Sequence, residues 1–98
     1  MRTIRLLSPA HRELEQAILY YEARQPGVGR QFADEFDRAI DAILESPTRW
    51  PQYSTHSRRY RMHRFEFGIY YSVETTEIVI SVIAHPSRDT ASFADRLR

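Results

Sequence analysis

The strongest constraint on the fold is Ile78-Val79-Ile80-Ser81-Val82-Ile83-Ala84, which is apolar at all but one position. β-Branched residues lose rotamer freedom in a helix and pack well on a pleated surface. Seven residues is a strand's length, and apolarity on both parities suits a central strand covered on both faces. Just before it, Phe67, Ile69, Tyr71 and Val73 alternate with Gly68, Tyr70, Ser72 and Glu74, the period of a half-buried strand. Only Glu74-Thr75-Thr76-Glu77 joins the two runs, so they form a hairpin in one sheet. The hairpin delivers His85-Pro86-Ser87-Arg88 to one end of that sheet.

Upstream the period changes. Residues 3–7 read as a short strand, and Ser8-Pro9 as a helix start with Ser8 as cap and Pro9 at the first helical position. Ala10, Leu14, Ala17, Ile18 and Tyr21 then recur at helical spacing. Pro26-Gly27-Val28-Gly29 stops this helix near Gln25. A second helix presents Phe32, Phe36, Ile40, Ile43 and Leu44 on one face, offers Asp34 and Arg38 as an exposed pair, and ends at Ser46-Pro47. Helices joined by so short a turn lie antiparallel. Residues 48–57 read as a loop carrying Trp50, Pro51 and Tyr53, and residues 59–65 as a further strand. Alternation there places Arg59, Arg61, His63 and Phe65 on one face and Met62 with Arg64 on the other. Residues 90–98 form a short helix or tail. The expectation is a single α+β domain over residues 1–98, ordered β-α-α-β-β-β, with a helix hairpin on one face of a small antiparallel sheet.

Composition removes most chemistries. The 98 residues include no cysteine, which excludes disulfides, thiolate nucleophiles and zinc–thiolate sites. There is no lysine either, so Schiff-base chemistry and a phosphate-loop lysine are absent. All fourteen basic residues are arginine, the permanently charged fork that suits carboxylate and phosphate. No apolar run is long enough to span a bilayer, and the N-terminus has no signal-peptide core, so cytoplasmic residence is expected. Net charge is +1, but it is polarised: residues 49–64 hold five arginines and no acid, residues 13–45 eight acids and three arginines.

Arg58, Arg59, Arg61 and Arg64 read as a patch for phosphate or an acidic partner, or as a solvated strand edge. His85 suits a general base beside Arg88, or a strand-end residue satisfying backbone groups. Tyr20, Tyr21, Trp50 and Tyr53 offer stacking surfaces, with core packing the better reading. The four histidines lack metal-ligand spacing. Gly27-Val28-Gly29 follows a helix and a proline, so it is a turn and not a phosphate cradle.

In this order, Tyr20-Tyr21-Glu22, Pro26-Gly27-Val28-Gly29, Phe32, Ser46-Pro47, Arg64-Phe65, Ile69-Tyr70-Tyr71, His85-Pro86-Ser87-Arg88 and Arg96 resemble the ParE branch of the ParE/RelE toxin superfamily of type II toxin–antitoxin modules. The likeness runs from about Ile4 to Arg96. It implies the fold above, a hetero-oligomer with a small acidic antitoxin, and DNA gyrase as a target poisoned by binding. Implied target-binding residues are Arg64, His85, Arg88, Phe93 and Arg96; the basic Arg58, Arg59 and Arg61 would meet the antitoxin. No cofactor, metal, membrane or sequence-specific DNA contact is implied. The alternative is a RelE-like ribosome-dependent endoribonuclease with His85 and Arg88 in catalytic roles. The chain departs from the pattern twice: Arg64-Phe65-Glu66-Phe67 stands where the family often has Arg-Phe-Pro-Tyr, and Phe93 is alone where many members carry a tyrosine and a tryptophan. Gly68 also stands where RelE-like enzymes have an arginine.

Overall fold

A computed structural model describes residues 1–97. Strand β1 (Thr3–Leu6) leads into α1 (Ser8–Arg24) and α2 (Val28–Glu45), followed by β2 (Gln52–Ser54), β3 (Ser57–Arg61), β4 (Gly68–Val73) and β5 (Glu77–Ala84). Two short 3-10 turns, Thr90–Ser92 and Ala94–Leu97, occupy the expected helix or tail, whose last residue, 98, lies outside the described residues. The sheet order is β1-β5-β4-β3-β2, an α+β arrangement.

The sheet is mixed, not antiparallel throughout. The meander β3-β4-β5 is antiparallel, but β1 pairs parallel to β5, from Thr3 opposite Glu77 to Leu6 opposite Ile80. A parallel neighbour needs a long crossover, and everything between β1 and β5 supplies it. The segment expected as a loop also holds β2, pairing Gln52 with Arg58 and Ser54 with Ser57; three residues are too few to show a period.

β5 is the centre in both senses. Its register against β4 jumps from Tyr70–Val82 to Tyr71–Ile80, which leaves Ser81 unopposed as a bulge. The bulge switches parity: Ile78, Ile80 and Ile83 enter the helix-side core, while Val82 and Ala84 pack on the opposite face. There they meet Tyr70, Phe93 and Leu97, so the tail is the second cover the apolar run demanded. Strand β4 was expected to be half-buried, yet Tyr70 is buried as well, because this tail lies over it.

The helix start differs from expectation for a reason of pairing. Leu7 is the cap residue, no side chain caps the helix, and Ser8 lies inside the first turn. The Leu7 N–H still donates to Ile80 O at 3.0 Å, so the strand ladder holds the backbone extended one residue longer than Ser8 needs. The hairpin turn caps itself instead. The Glu22 carboxylate accepts from the N–H groups of Gly27 at 3.0 Å and Gly29 at 3.1 Å, putting negative charge at the start of α2. Gly27 has φ 92, a conformation costly for other residues. A Cβ on Gly29 would lie 2.7 Å from Ile18 O and 2.9 Å from Glu22 Cβ. Tyr20-Tyr21-Glu22 with Pro26-Gly27-Val28-Gly29 is therefore a device for closing the hairpin. Gly29→Ala must push α1 off α2 and is expected to cost about 1–3 kcal/mol. Urea unfolding checks this, and an unchanged midpoint would show that the contact is not tight.

Two further expectations are corrected. Asp34 pairs with Arg30 one turn earlier, at 3.5 Å between exposed groups, rather than with Arg38. Strand β3 stops at Arg61 instead of continuing to Phe65. The Met62 N–H donates to Phe67 O at 2.8 Å across a turn in which Glu66 takes a left-handed φ of 61. Alternation ends there, so Met62 and Phe65 share the helix-side core rather than opposite faces. A proline's fixed φ does not reach this region, so this turn would not accept proline at position 66.

Candidate functional site

His85 follows directly on β5. The turn it opens is closed by the Arg88 N–H donating to His85 O at 3.0 Å. The imidazole Nδ1 accepts from the Ser87 backbone N–H at 3.1 Å and lies 2.8 Å from Ser87 Oγ. An N–H donor at Nδ1 assigns the proton of the neutral ring to Nε2. His85 thus offers a hydrogen-bond donor outward, while the lone pair a general base needs is engaged inward. The ring packs edge-on to Phe67 at 5.4 Å. Between α1 and the end of β5 lies an open cavity of about 710 Å³, bordered by Tyr20, Arg24, Phe67, His85 and Arg88.

A single carboxylate organises the next stretch. Glu13 Oε1 accepts from the Ile83 N–H at 3.0 Å, and Glu13 Oε2 accepts from Arg96 Nη2 at 2.7 Å and from Arg88 Nη1. The Ser81 bulge makes this possible. It turns the Ile83 N–H toward the open side of β5, beyond the point where β1 has ended. Burial pushes the Glu13 carboxyl up, but the bonds from Arg96, Arg88 and the Ile83 N–H outweigh it and hold the group below its ordinary value. Arg88 is fixed further by Nε donating to Ser92 Oγ at 2.9 Å, with its guanidinium 5.2 Å from the Phe93 ring. Glu13 therefore ties the helix layer to the tail on the other sheet face.

The residues singled out from the sequence do not form one cluster. Arg88 and Arg96 meet at Glu13. Arg64 sits against α2: its N–H donates to Glu35 Oε1 at 3.0 Å and its Nη1 to Gln31 Oε1. Between lie the rings of Phe65, Tyr21 and Phe67, with Phe65 4.8 Å from Tyr21 and Tyr21 6.2 Å from Phe67, ending at His85. Phe93 is not a surface anchor. It is 2% exposed and packs on Tyr70 at 5.1 Å, so it holds the tail down instead of reaching out.

The basic strand divides similarly. Arg58 donates to Thr48 O at 3.1 Å and Trp50 O at 2.8 Å, which clips the preceding loop to β3. Arg59 stands over Tyr53 at 5.6 Å, and Arg61 is exposed. Of the four aromatics, Tyr21 and Trp50 pack on the core, whereas Tyr20 and Tyr53 are exposed. Among the described residues no cluster of His, Asp or Glu has the geometry to hold a metal ion. Sequence reasoning passed over Glu13. Its one signal was position: three residues after Ala10 and four before Ala17, a carboxylate on the buried stripe itself.

Comparison with known proteins accords with this geometry. Among solved structures, a chain from the chromosomal ParDE TA system from P. aeruginosa superimposes with a TM-score of 0.75, covering 87% of this chain and 96% of that one at 15% identity. That likeness is one of fold. Among curated proteins none matches by sequence. The model of one family, the ParE toxin of the parDE type II toxin–antitoxin system, matches residues 4–90, the span from β1 to the first tail turn. The chain belongs to the ParE toxin family of type II toxin–antitoxin systems.

Proposed function

We propose that this toxin acts by binding: it inhibits DNA gyrase in the cytoplasm through the end of the sheet that carries His85 and Arg88, and a cognate antitoxin neutralises it. The observation that carries this reading is the His85 ring, whose Nδ1 is engaged by Ser87. The site has donors and ring faces suited to an interface and no free general base beside them. Gly68 adds no donor where an RNA-cleaving relative would place an arginine. The exposed Arg61 and the Arg59–Tyr53 pair are the antitoxin-facing cations in this reading, because Arg58 is committed to the Thr48 and Trp50 carbonyls. Among the described residues no helix is long and apolar enough to cross a membrane, which fits a target in solution.

Purified protein should inhibit gyrase supercoiling. His85→Ala should weaken that inhibition by about tenfold to thirtyfold, the usual effect of truncating an interface donor. His85→Gln, which retains an N–H donor in a similar place, should recover most of it. Cleavage of mRNA on programmed ribosomes, abolished by both substitutions, would instead make the chain an endoribonuclease.

A further inference from the structure

Beside the His85 cavity, and sharing Glu13, Gln16 and Arg88 with it, a smaller cleft of about 310 Å³ opens on the flank of α1. It is bounded by Arg12, Glu13 and Gln16 of the helix and by Arg88, Ser92 and Arg96 of the tail. Three arginines and one carboxylate line it, so the cleft carries a formal charge of +2. Arg12 makes no ion pair or side-chain hydrogen bond with any described residue. The other two are fixed yet incompletely used. Arg88 commits Nε to Ser92 and Nη1 to Glu13, which leaves Nη2; Arg96 commits Nη2 and leaves Nε and Nη1. Their side chains are only 34% and 23% exposed, so their ordering is complete before anything binds.

We infer that this cleft is a carboxylate-binding site, and that its occupant is an Asp or Glu side chain of an acidic peptide segment in a partner protein. Glu13 is the chain's own demonstration of the chemistry: one carboxylate oxygen already bridges the Arg88 and Arg96 forks. A second carboxylate on the outer side takes the donors left over, with Arg12 closing the open wall. A nucleic-acid phosphate fits less well. The chain's net charge is only +1, and Glu15 stands one turn from Arg12, which offsets part of the local positive charge. The inference stands on the cleft alone and does not require gyrase to be the target.

The test is titration of the full-length chain with a fluorescent Asp/Glu-rich peptide at near-physiological salt, followed by anisotropy. Saturable binding is expected. Arg12→Gln should weaken it about tenfold, the loss of one charge-assisted hydrogen bond. Arg12 is exposed and has no partner among the described residues, so its replacement leaves the fold intact. Arg38→Gln makes the same change of charge on α2 and should leave the affinity unchanged. The proposal is overturned by absence of saturable binding, by Arg12→Gln having no effect, or by Arg38→Gln weakening binding equally, which would mean plain charge attraction. It is also overturned if a single-stranded oligonucleotide of equal charge displaces the peptide at lower concentration, since the cleft would then prefer phosphate.

Discussion

Phe93→Ala is expected to destabilise the protein by about 3 kcal/mol, near the low end for a buried phenylalanine. The ring is 2% exposed and rests on Tyr70, Val82 and Ala84, the outer face of the central strands. Removing it leaves Leu97 alone among the large tail side chains on that face, and the tail around it is short enough to collapse partly into the space. Arg88 loses the ring beneath its guanidinium as well. Urea unfolding gives the magnitude, and Phe93→Leu separates packing from recognition. Leucine keeps the core filled at a cost below about 1.5 kcal/mol, so it should restore both stability and any inhibitory activity. If Phe93 were instead an exposed anchor for a target, Phe93→Leu would lose inhibition while unfolding at the parent's midpoint. That result would contradict the buried role.

The tail illustrates which parts of the fold were legible in the sequence. The run from Ile78 to Ala84 demanded cover on both faces, and one cover, the helix hairpin, was visible in the stripes of α1 and α2. The other was not, because residues 90–97 carry only Phe93 and Leu97 as large apolar groups, too few to show a period. The Ser81 bulge was hidden for a related reason. A parity switch inside an all-apolar run leaves the pattern unchanged, so the polar Ser81 was its only trace. Parallel pairing of β1 was equally silent, since local sequence records a strand but not its neighbour. By contrast, the break between the helices was legible at Pro26-Gly27, because a positive φ constrains the residue type itself; Val28 and Gly29, expected in the turn, instead open α2.

At the site, the sequence brought His85 and Arg88 together because they are adjacent in the chain, and it grouped Arg64 with them because all lie near one sheet end. What divided them was an interaction of high sequence separation. Glu13 stands 75 residues from Arg88 and 83 from Arg96. No local pattern pairs residues at that distance. Gln31 and Glu35 likewise draw Arg64 toward α2 from about thirty positions away, at separations of 33 and 29. The basic strand divided for a different reason: charge counted along a strand does not reveal which guanidiniums are spent on backbone carbonyls, as Arg58 is.

Glu13→Ala should lower stability by about 2 kcal/mol and make what remains less dependent on acid. Breaking a buried ion pair by removing one partner commonly costs about 3–5 kcal/mol, because a charge is left without compensation. Here the guanidiniums keep partial contact with water, which screens the loss and reduces the expectation. The Ile83 N–H is orphaned as well, on a strand that β1 no longer covers. The sign of the pH effect follows from the carboxylate's position. Its value in the folded chain lies below the ordinary 4.5, so the unfolded chain binds this proton more readily. The stabilisation is fully present above about pH 4.5 and is lost as pH falls through the folded value. Glu77, held low by its hydrogen bonds from Arg5, titrates in parent and variant alike and cancels in the difference. Urea midpoints of the parent and Glu13→Gln should therefore converge on acidification from near pH 4.5 and stay apart at neutral pH. Glutamine can still accept from the Ile83 N–H, so its neutral-pH deficit should be about half that of alanine. Parallel curves for parent and glutamine variant across that range would mean that the carboxylate's charge does not hold the tail.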